Sequence, residues 1–214
     1  MLLQVETYPL GPVITNAYLV FDEPTKKGIV IDPGSEPEAL LKRIKEMELE
    51  VEAILLTHAH FDHIGGLEKV RAQTKAPVYI HQEESEWLAD PQRNGSSLFP
   101  GVATVVCNPA EHILQGGEIL QLLGEQFEVI HTPGHSPGSI SFVLEGMIFS
   151  GDVLFAGSIG RTDLPGGDYS TLMMSIHDVL MELPEETVVY SGHGPVTTIG
   201  REQESNPFVN GMMG

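Results

Sequence analysis

Four imidazole or carboxylate donors fall within six residues of this chain, in the run Thr57-His-Ala-His-Phe-Asp-His-Ile-Gly-Gly66, directly after the apolar stretch 53–56. No other feature constrains the fold as strongly, because donors at this density at a strand end have metal-ligand spacing. In extended backbone alternate side chains point the same way, so His58, His60 and Asp62 are expected to converge while Ala59 and Phe61 face the other side. His63 follows as the chain turns into a helix beginning near Ile64, and Gly65 and Gly66 keep that turn uncrowded. Mixed nitrogen and oxygen donors suit zinc, iron or manganese.

Three further donors stand in the same kind of place, each just after a glycine beyond an apolar or strand-like run. They are His135 in Thr-Pro-Gly-His-Ser-Pro-Gly, Asp152 in Phe-Ser-Gly-Asp and His193 in Tyr-Ser-Gly-His-Gly. If those strands share one sheet edge, all seven donors meet there. Seven exceed what one tetrahedral ion needs and suit two divalent ions sharing a bridging carboxylate, about 3.5–4 Å apart.

Short apolar runs at 18–21, 28–32, 53–57, 147–150 and 188–191 read as buried strands, and 37–47, 64–73 and 171–183 as helices. Their uneven alternation indicates an α/β or α+β layered fold. No repeat or linker divides the chain, so residues 1–214 are expected to form one domain with 210–214 frayed. The Pro- and Gly-punctuated segment 90–101 reads as a loop able to overhang a site.

Charge and cysteine usage limit the partners. Thirty acidic against 11 basic residues give a net charge of −19, which disfavours nucleic acid and leaves a small-molecule substrate. The single Cys107 cannot form an internal disulfide, and neither a leader nor an apolar run long enough to span a membrane is visible, so a cytoplasmic location is expected. The oligomeric state is not legible. His81, His112, His131 and His177 lack ligand-like context and are expected to be structural, with Cys107 a packing residue and Trp87 a helix anchor. Asp32 reads equally as a turn residue or as an acceptor holding a ligand histidine. Arg161 reads equally as a substrate contact or as a partner of Asp163.

The series His-x-His-x-Asp-His followed by His135, Asp152 and His193 resembles the metallo-β-lactamase superfamily, and the resemblance spans residues 16–208. It implies a four-layer αββα sandwich with the site at one edge between two sheets. It further implies a first metal on His58, His60 and His135, a second on Asp62, His63 and His193, and Asp152 bridging them, zinc being the first choice of metal. A water shared by two such ions would be acidified and attack a carbonyl, with Asp62 as the catalytic residue orienting it. Within the superfamily the bridging Asp152 argues against lactam hydrolysis. Thr-Pro-Gly-His-Ser-Pro-Gly and Gly-Asp-Val-Leu-Phe are similar to glyoxalase II, implying a hydroxyacylglutathione hydrolase-like thioesterase that acts on an acyl-thioester. The chain departs from that enzyme in having little length after His193 for a C-terminal helical domain, and in carrying Arg161 with Asp163, and Gly194-Pro195, where it has basic and Tyr residues. Gly-Arg-Thr-Asp at 160–163 also resembles persulfide dioxygenases, which use one iron on the equivalents of His58, His135 and Asp152. A non-catalytic metal-binding module is the reading from a different class.

Overall fold

The expected apolar runs are all strands, and they lie in two six-stranded sheets in the computed structural model, which describes residues 3–211. Residues 212–214, part of the segment expected to fray, lie outside the described residues. The first sheet runs in order β1 (Gln4–Leu10), β2 (Thr15–Asp22), β3 (Lys27–Ile31), β4 (Glu50–Leu55), β5 (Val78–His81) and β6 (His112–Leu114). The second contains β7 (Ile119–Leu122), β8 (Glu125–His131), β9 (Ile140–Leu144), β10 (Met147–Gly151), β13 (Val188–Ser191) and β14 (Thr197–Thr198), in order β14-β13-β10-β9-β8-β7. A small ribbon of β11 (Leu154–Phe155) and β12 (Ser158–Ile159) stands apart.

The central strands are apolar on both faces because each face meets a different core. In β2, Ala17, Leu19 and Phe21 enter a cluster with Leu40, Ile44, Leu67 and Val70 of the outer helices, while Tyr18 and Val20 enter the layer between the sheets with Phe127, Phe142 and Phe149. In β10, Phe149 enters that inner layer, whereas Ile148 packs outward with Leu172, Ile176 and Ile199. The period of two thus distributes side chains over three apolar layers, each fully buried Leu, Ile or Phe contributing roughly 1.5–3 kcal/mol. The helices on the outer faces are α1 (Glu38–Glu46) and α3 (Leu67–Thr74) on one side, and α4 (Tyr169–Asp178) and α5 (Ile199–Ser205) on the other; α2 (Phe61–Ile64) is a single turn at the sheet edge. This is the αββα sandwich expected from the motif series.

Two helix boundaries differ from the sequence reading. The helix expected at 64–73 is two pieces, α2 ending at Ile64 and α3 starting at Leu67, because Gly65 and Gly66 pack against the 33–35 backbone where a side chain would collide. The helix expected at 171–183 starts earlier, where Asp168 accepts the Thr171 N–H at 2.7 Å, and breaks at Val179 before a short 3-10 turn.

Candidate metal centre

Chain direction explains why the donors meet. β3, β4 and β5 are parallel, as are β10 and β13, so the segments leaving β4, β10 and β13 emerge at one edge of the sandwich. Backbone bonds then tie the sheets together there: Ile140 N–H donates to Thr57 O at 2.9 Å, and Asn16 N–H to Gly192 O at 2.7 Å. The Asn16 amide adds bonds to Ser191 O (3.0 Å) and Gly194 O (2.8 Å), fixing the turn that carries His193. Gly192 admits no side chain, since a Cβ there would lie 2.0 Å from Asp152 Oδ1.

All seven donors expected from the sequence are gathered, in two groups. Ligand-capable atoms of His58, His60 and His135 lie within 4.8 Å of one another, as do those of Asp62, His63 and His193. Asp152 lies between them, with Oδ1 3.3 Å from His63 Nε2, and Oδ2 3.7 Å from His135 Nε2 and 3.5 Å from His193 Nε2. The route differs from simple strand alternation. β4 stops at Leu55, the chain from 56 to 60 is irregular, and Asp62 and His63 arrive on the turn of α2. Phe61 consequently lines the same pocket instead of facing away from it.

Asp32 resolves the alternative left open by the sequence, as an acceptor that orients histidines. Its Oδ1 accepts Thr57 N–H (2.8 Å), and its Oδ2 accepts both the Thr57 hydroxyl (2.6 Å) and His63 Nδ1–H (3.0 Å). The Thr57 oxygen in turn faces His58 Nδ1 at 3.0 Å. With the hydroxyl proton directed to Asp32, His58 Nδ1–H donates to Thr57, and both histidines carry their protons on Nδ1. Their Nε2 atoms are buried without a hydrogen-bond partner, as is Asp152 Oδ1. Buried polar atoms are almost always paired, so bare nitrogens converging on a bare carboxylate oxygen fit a cation. His135 is held the same way: Nδ1–H donates to Arg161 O at 2.8 Å, and Nε2 faces His60 Nδ1 at 2.8 Å.

The electrostatics divide along the same line. Burial, reinforced by the neighbouring histidines, pushes His58 well below the ordinary imidazole value and His60 down to about 3. Burial lowers His135 as well. His63 goes the other way, because Asp62, Asp152 and Asp32 outweigh its burial, and the hydrogen bond to Asp62 with the Asp152 charge raises His193 against its own. Despite burial, the charge of His63 and hydrogen bonds from His193 and Thr15 hold Asp62 far below the usual carboxylate range. One group therefore offers neutral imidazoles, the other a charge-paired set.

The pocket over these donors, about 270 Å³, is walled by Val13, Phe61, Phe99, Val102 and Leu164. Asn94, Gly95 and Phe99 belong to the expected overhanging loop, and the Asn94 amide is committed to Trp87 O and Val105 O. Arg161 also lines the pocket, yet its guanidinium makes two parallel 2.7 Å bonds to Asp163 while 53% exposed. Both sequence alternatives for Arg161 thus have a geometric basis. The remaining histidines lie outside the two groups. His81 stacks on His131 at 4.3 Å, His112 stacks on Tyr79, and His177 sits on α4. Cys107 and Trp87 are buried in the outer core, and burial pushes the Cys107 thiol up to about 12. Sequence reasoning missed Thr15, whose hydroxyl donates to Asp62 Oδ2 at 2.7 Å, and Glu84. Thr15 carried a faint signal as a polar residue opening an apolar strand; Glu84, among three glutamates in 83–86, carried none.

A family model described as the metallo-beta-lactamase superfamily matches residues 10–193. Probable metallo-hydrolase YqgX of Bacillus subtilis is 48% identical over 206 residues, covering 95% of this chain and 96% of its own. Hydroxyacylglutathione hydrolase GloC of Haemophilus influenzae is 39% identical over 212 residues, covering 97% and 99%. Among solved structures, BLEG-1 B3 metallo-beta-lactamase superimposes with a TM-score of 0.93 at 50% identity, over 96% of this chain and 99% of that one. TTHA1623 in a di-iron-bound form gives 0.84 at 41% identity, over 95% and 100%. ETHE1 from Myxococcus xanthus gives 0.79 at 31% identity, over 97% and 85%.

Proposed function

Because the chain belongs to the metallo-beta-lactamase superfamily, whose members bind divalent metals, we propose that it is a binuclear metal-dependent hydrolase cleaving acyl-thioesters. The observation that carries this reading is the pair of donor groups with bare His58 Nε2, His63 Nε2 and Asp152 Oδ1 converging between them. His58, His60 and His135 would hold one ion and Asp62, His63 and His193 the other, with Asp152 placed to serve both. Zinc is the metal of choice for such donors, and the iron in TTHA1623 makes iron the first competitor. Divalent ions bound there would supply a hydroxide nucleophile at neutral pH and polarise the carbonyl under attack.

The protein's own groups do the rest. Thr15 and His193 both meet Asp62 Oδ2, which leaves Oδ1 to orient the attacking water. Asp32, through Thr57 and His63, keeps one histidine of each group in the tautomer that presents Nε2. The apolar wall of Val13, Phe61, Phe99 and Leu164 limits water around the scissile carbonyl, and the Arg161 guanidinium, exchanging Asp163 for substrate, meets a carboxylate. Nothing in this chemistry needs a serine or cysteine nucleophile, and the lone Cys107 is buried far up its titration range. A cytoplasmic location suits a chain with one free thiol.

A second reading, a mononuclear iron enzyme oxidising a persulfide, is favoured by the convergence of His58, His135 and Asp152 and by the likeness to ETHE1. Turnover of S-lactoylglutathione, simpler acyl-thioesters, a β-lactam and glutathione persulfide, with and without oxygen, decides between them. Thioester cleavage at equal rates in air and under argon supports the hydrolase. Oxygen-dependent persulfide consumption with no thioester cleavage overturns it, and preference for the β-lactam, as the likeness to BLEG-1 B3 metallo-beta-lactamase invites testing, overturns the thioester assignment.

A further inference from the structure

Glu84 lies on the 3-10 segment Gln82–Ala89, fully buried, and enters none of the ion pairs among the described residues. Its two oxygens reach two different loops. Oε2 accepts Ala59 N–H at 2.5 Å, and Ala59 sits between His58 and His60. Oε1 accepts Gly138 N–H at 2.8 Å, three residues beyond His135. Gly138 is shaped to this contact, since a Cβ there would lie 2.8 Å from Glu84 Cγ and 3.1 Å from Cδ. Among the described residues Glu84 is the one side chain outside the donor set that bonds both loops, and it touches no backbone next to Asp62, His63 or His193.

A carboxylate is rarely buried without a counter-charge, and its place here is between the two segments whose separation fixes the His58, His60 and His135 triple. We propose that Glu84 is a positioning residue that sets the spacing of this triple, and thereby the affinity of one of two metal sites selectively. The proposal rests on the binuclear reading above. Gln at position 84 keeps the shape but presents an NH2 to a backbone N–H, so one of the two loops loses its acceptor.

The test is stepwise cobalt(II) titration of the metal-free protein against a competing chelator, for wild type, Glu84→Gln and Gly138→Ala. His60→Ala and His193→Ala variants assign each binding step to its donor group. Glu84→Gln should weaken the step belonging to His58, His60 and His135 by about tenfold or more, the usual effect of disturbing ligand support, and shift the visible bands of that ion. The other step should move by less than about threefold on the same reasoning. Gly138→Ala, which displaces the carboxylate without altering it, should repeat the pattern and keeps the test alive if Glu84→Gln does not fold. Glu202 is the control, an equally buried glutamate that accepts Gly157 N–H (2.7 Å) and Asn206 Nδ2–H (2.8 Å) away from both loops. Glu202→Gln should lower Tm with both affinities unchanged. Equal weakening of both steps by Glu84→Gln, or a lower Tm with neither step moved, overturns the proposal. A wild type that takes up fewer than two ions sinks the binuclear reading itself, an outcome visible before any variant is compared.

Discussion

Replacing Asp32 with Asn removes no atoms from the core but exchanges an acceptor for a donor where two donors already point. Oδ1 must keep facing the Thr57 N–H at 2.8 Å, so the new NH2 occupies the place of Oδ2, against Thr57 Oγ1 (2.6 Å) and His63 Nδ1 (3.0 Å). His63 then has to accept at Nδ1 and carry its proton on Nε2. The Thr57 hydroxyl turns to donate to His58 Nδ1, which moves that proton to Nε2 as well. Both bare nitrogens are lost to metal by one substitution, although Asp32 itself touches no ion. Disrupting the partner of a ligating histidine typically costs 10–100-fold in metal affinity, about 1.4–2.8 kcal/mol per site. Loss of the charge-assisted bonds should lower the stability of the metal-free fold by about 1.5–3 kcal/mol. Chelator competition measures the first effect and denaturant unfolding of the metal-free protein the second. Metal affinities within twofold of wild type at both sites would refute the relay from Asp32 through Thr57 and His63.

Gly192→Ala places a Cβ 2.0 Å from Asp152 Oδ1, so metal content after dialysis should fall at both sites; full retention of both ions would show that the close approach is dispensable. Arg161→Ala should raise KM about tenfold for carboxylate-bearing thioesters, the low end of roughly 1.5–3 kcal/mol for a charged hydrogen bond because the guanidinium is half-exposed and already paired. Its kcat should change less, and equal KM changes on uncharged thioesters would leave Arg161 as a brace for Asp163 only. His63 is raised above the ordinary imidazole value by Asp62, Asp152 and Asp32, so in the metal-free fold it contributes stability that is fully present below the unfolded-state pKa and lost as pH rises through the folded-state value. A ligating imidazole must be bare at Nε2, so calorimetry in two buffers of different ionisation enthalpy should show proton release on metal binding that grows as pH falls; release independent of pH would contradict the raised His63.

The strands and the seven donors were legible because each follows a local rule: a short β-branched run, then either the dense His and Asp series at 58–63 or a Gly and a donor, as at His135, Asp152 and His193. Alternation failed at Asp62 because the backbone leaves the extended state after Leu55 and re-enters order as a helical turn. The Gly65-Gly66 break was visible as residues but not as a break, since its cause is the 33–35 backbone pressed against it. Asp32 could be narrowed to two roles because it ends a strand, and only the fold shows which histidine it meets. Glu84 was invisible for a stronger reason: its partners are backbone N–H groups 25 and 54 residues away, and no residue type marks a backbone donor.

On the binuclear reading, catalysis requires both donor groups filled. The direct test is thioester turnover by metal-free protein reloaded stepwise with zinc, read against bound metal measured on each sample. The rate should rise with the second equivalent and vanish in an Asp152→Ala variant that has lost the bridge. Full activity at one equivalent, unchanged by the second, would contradict that reading.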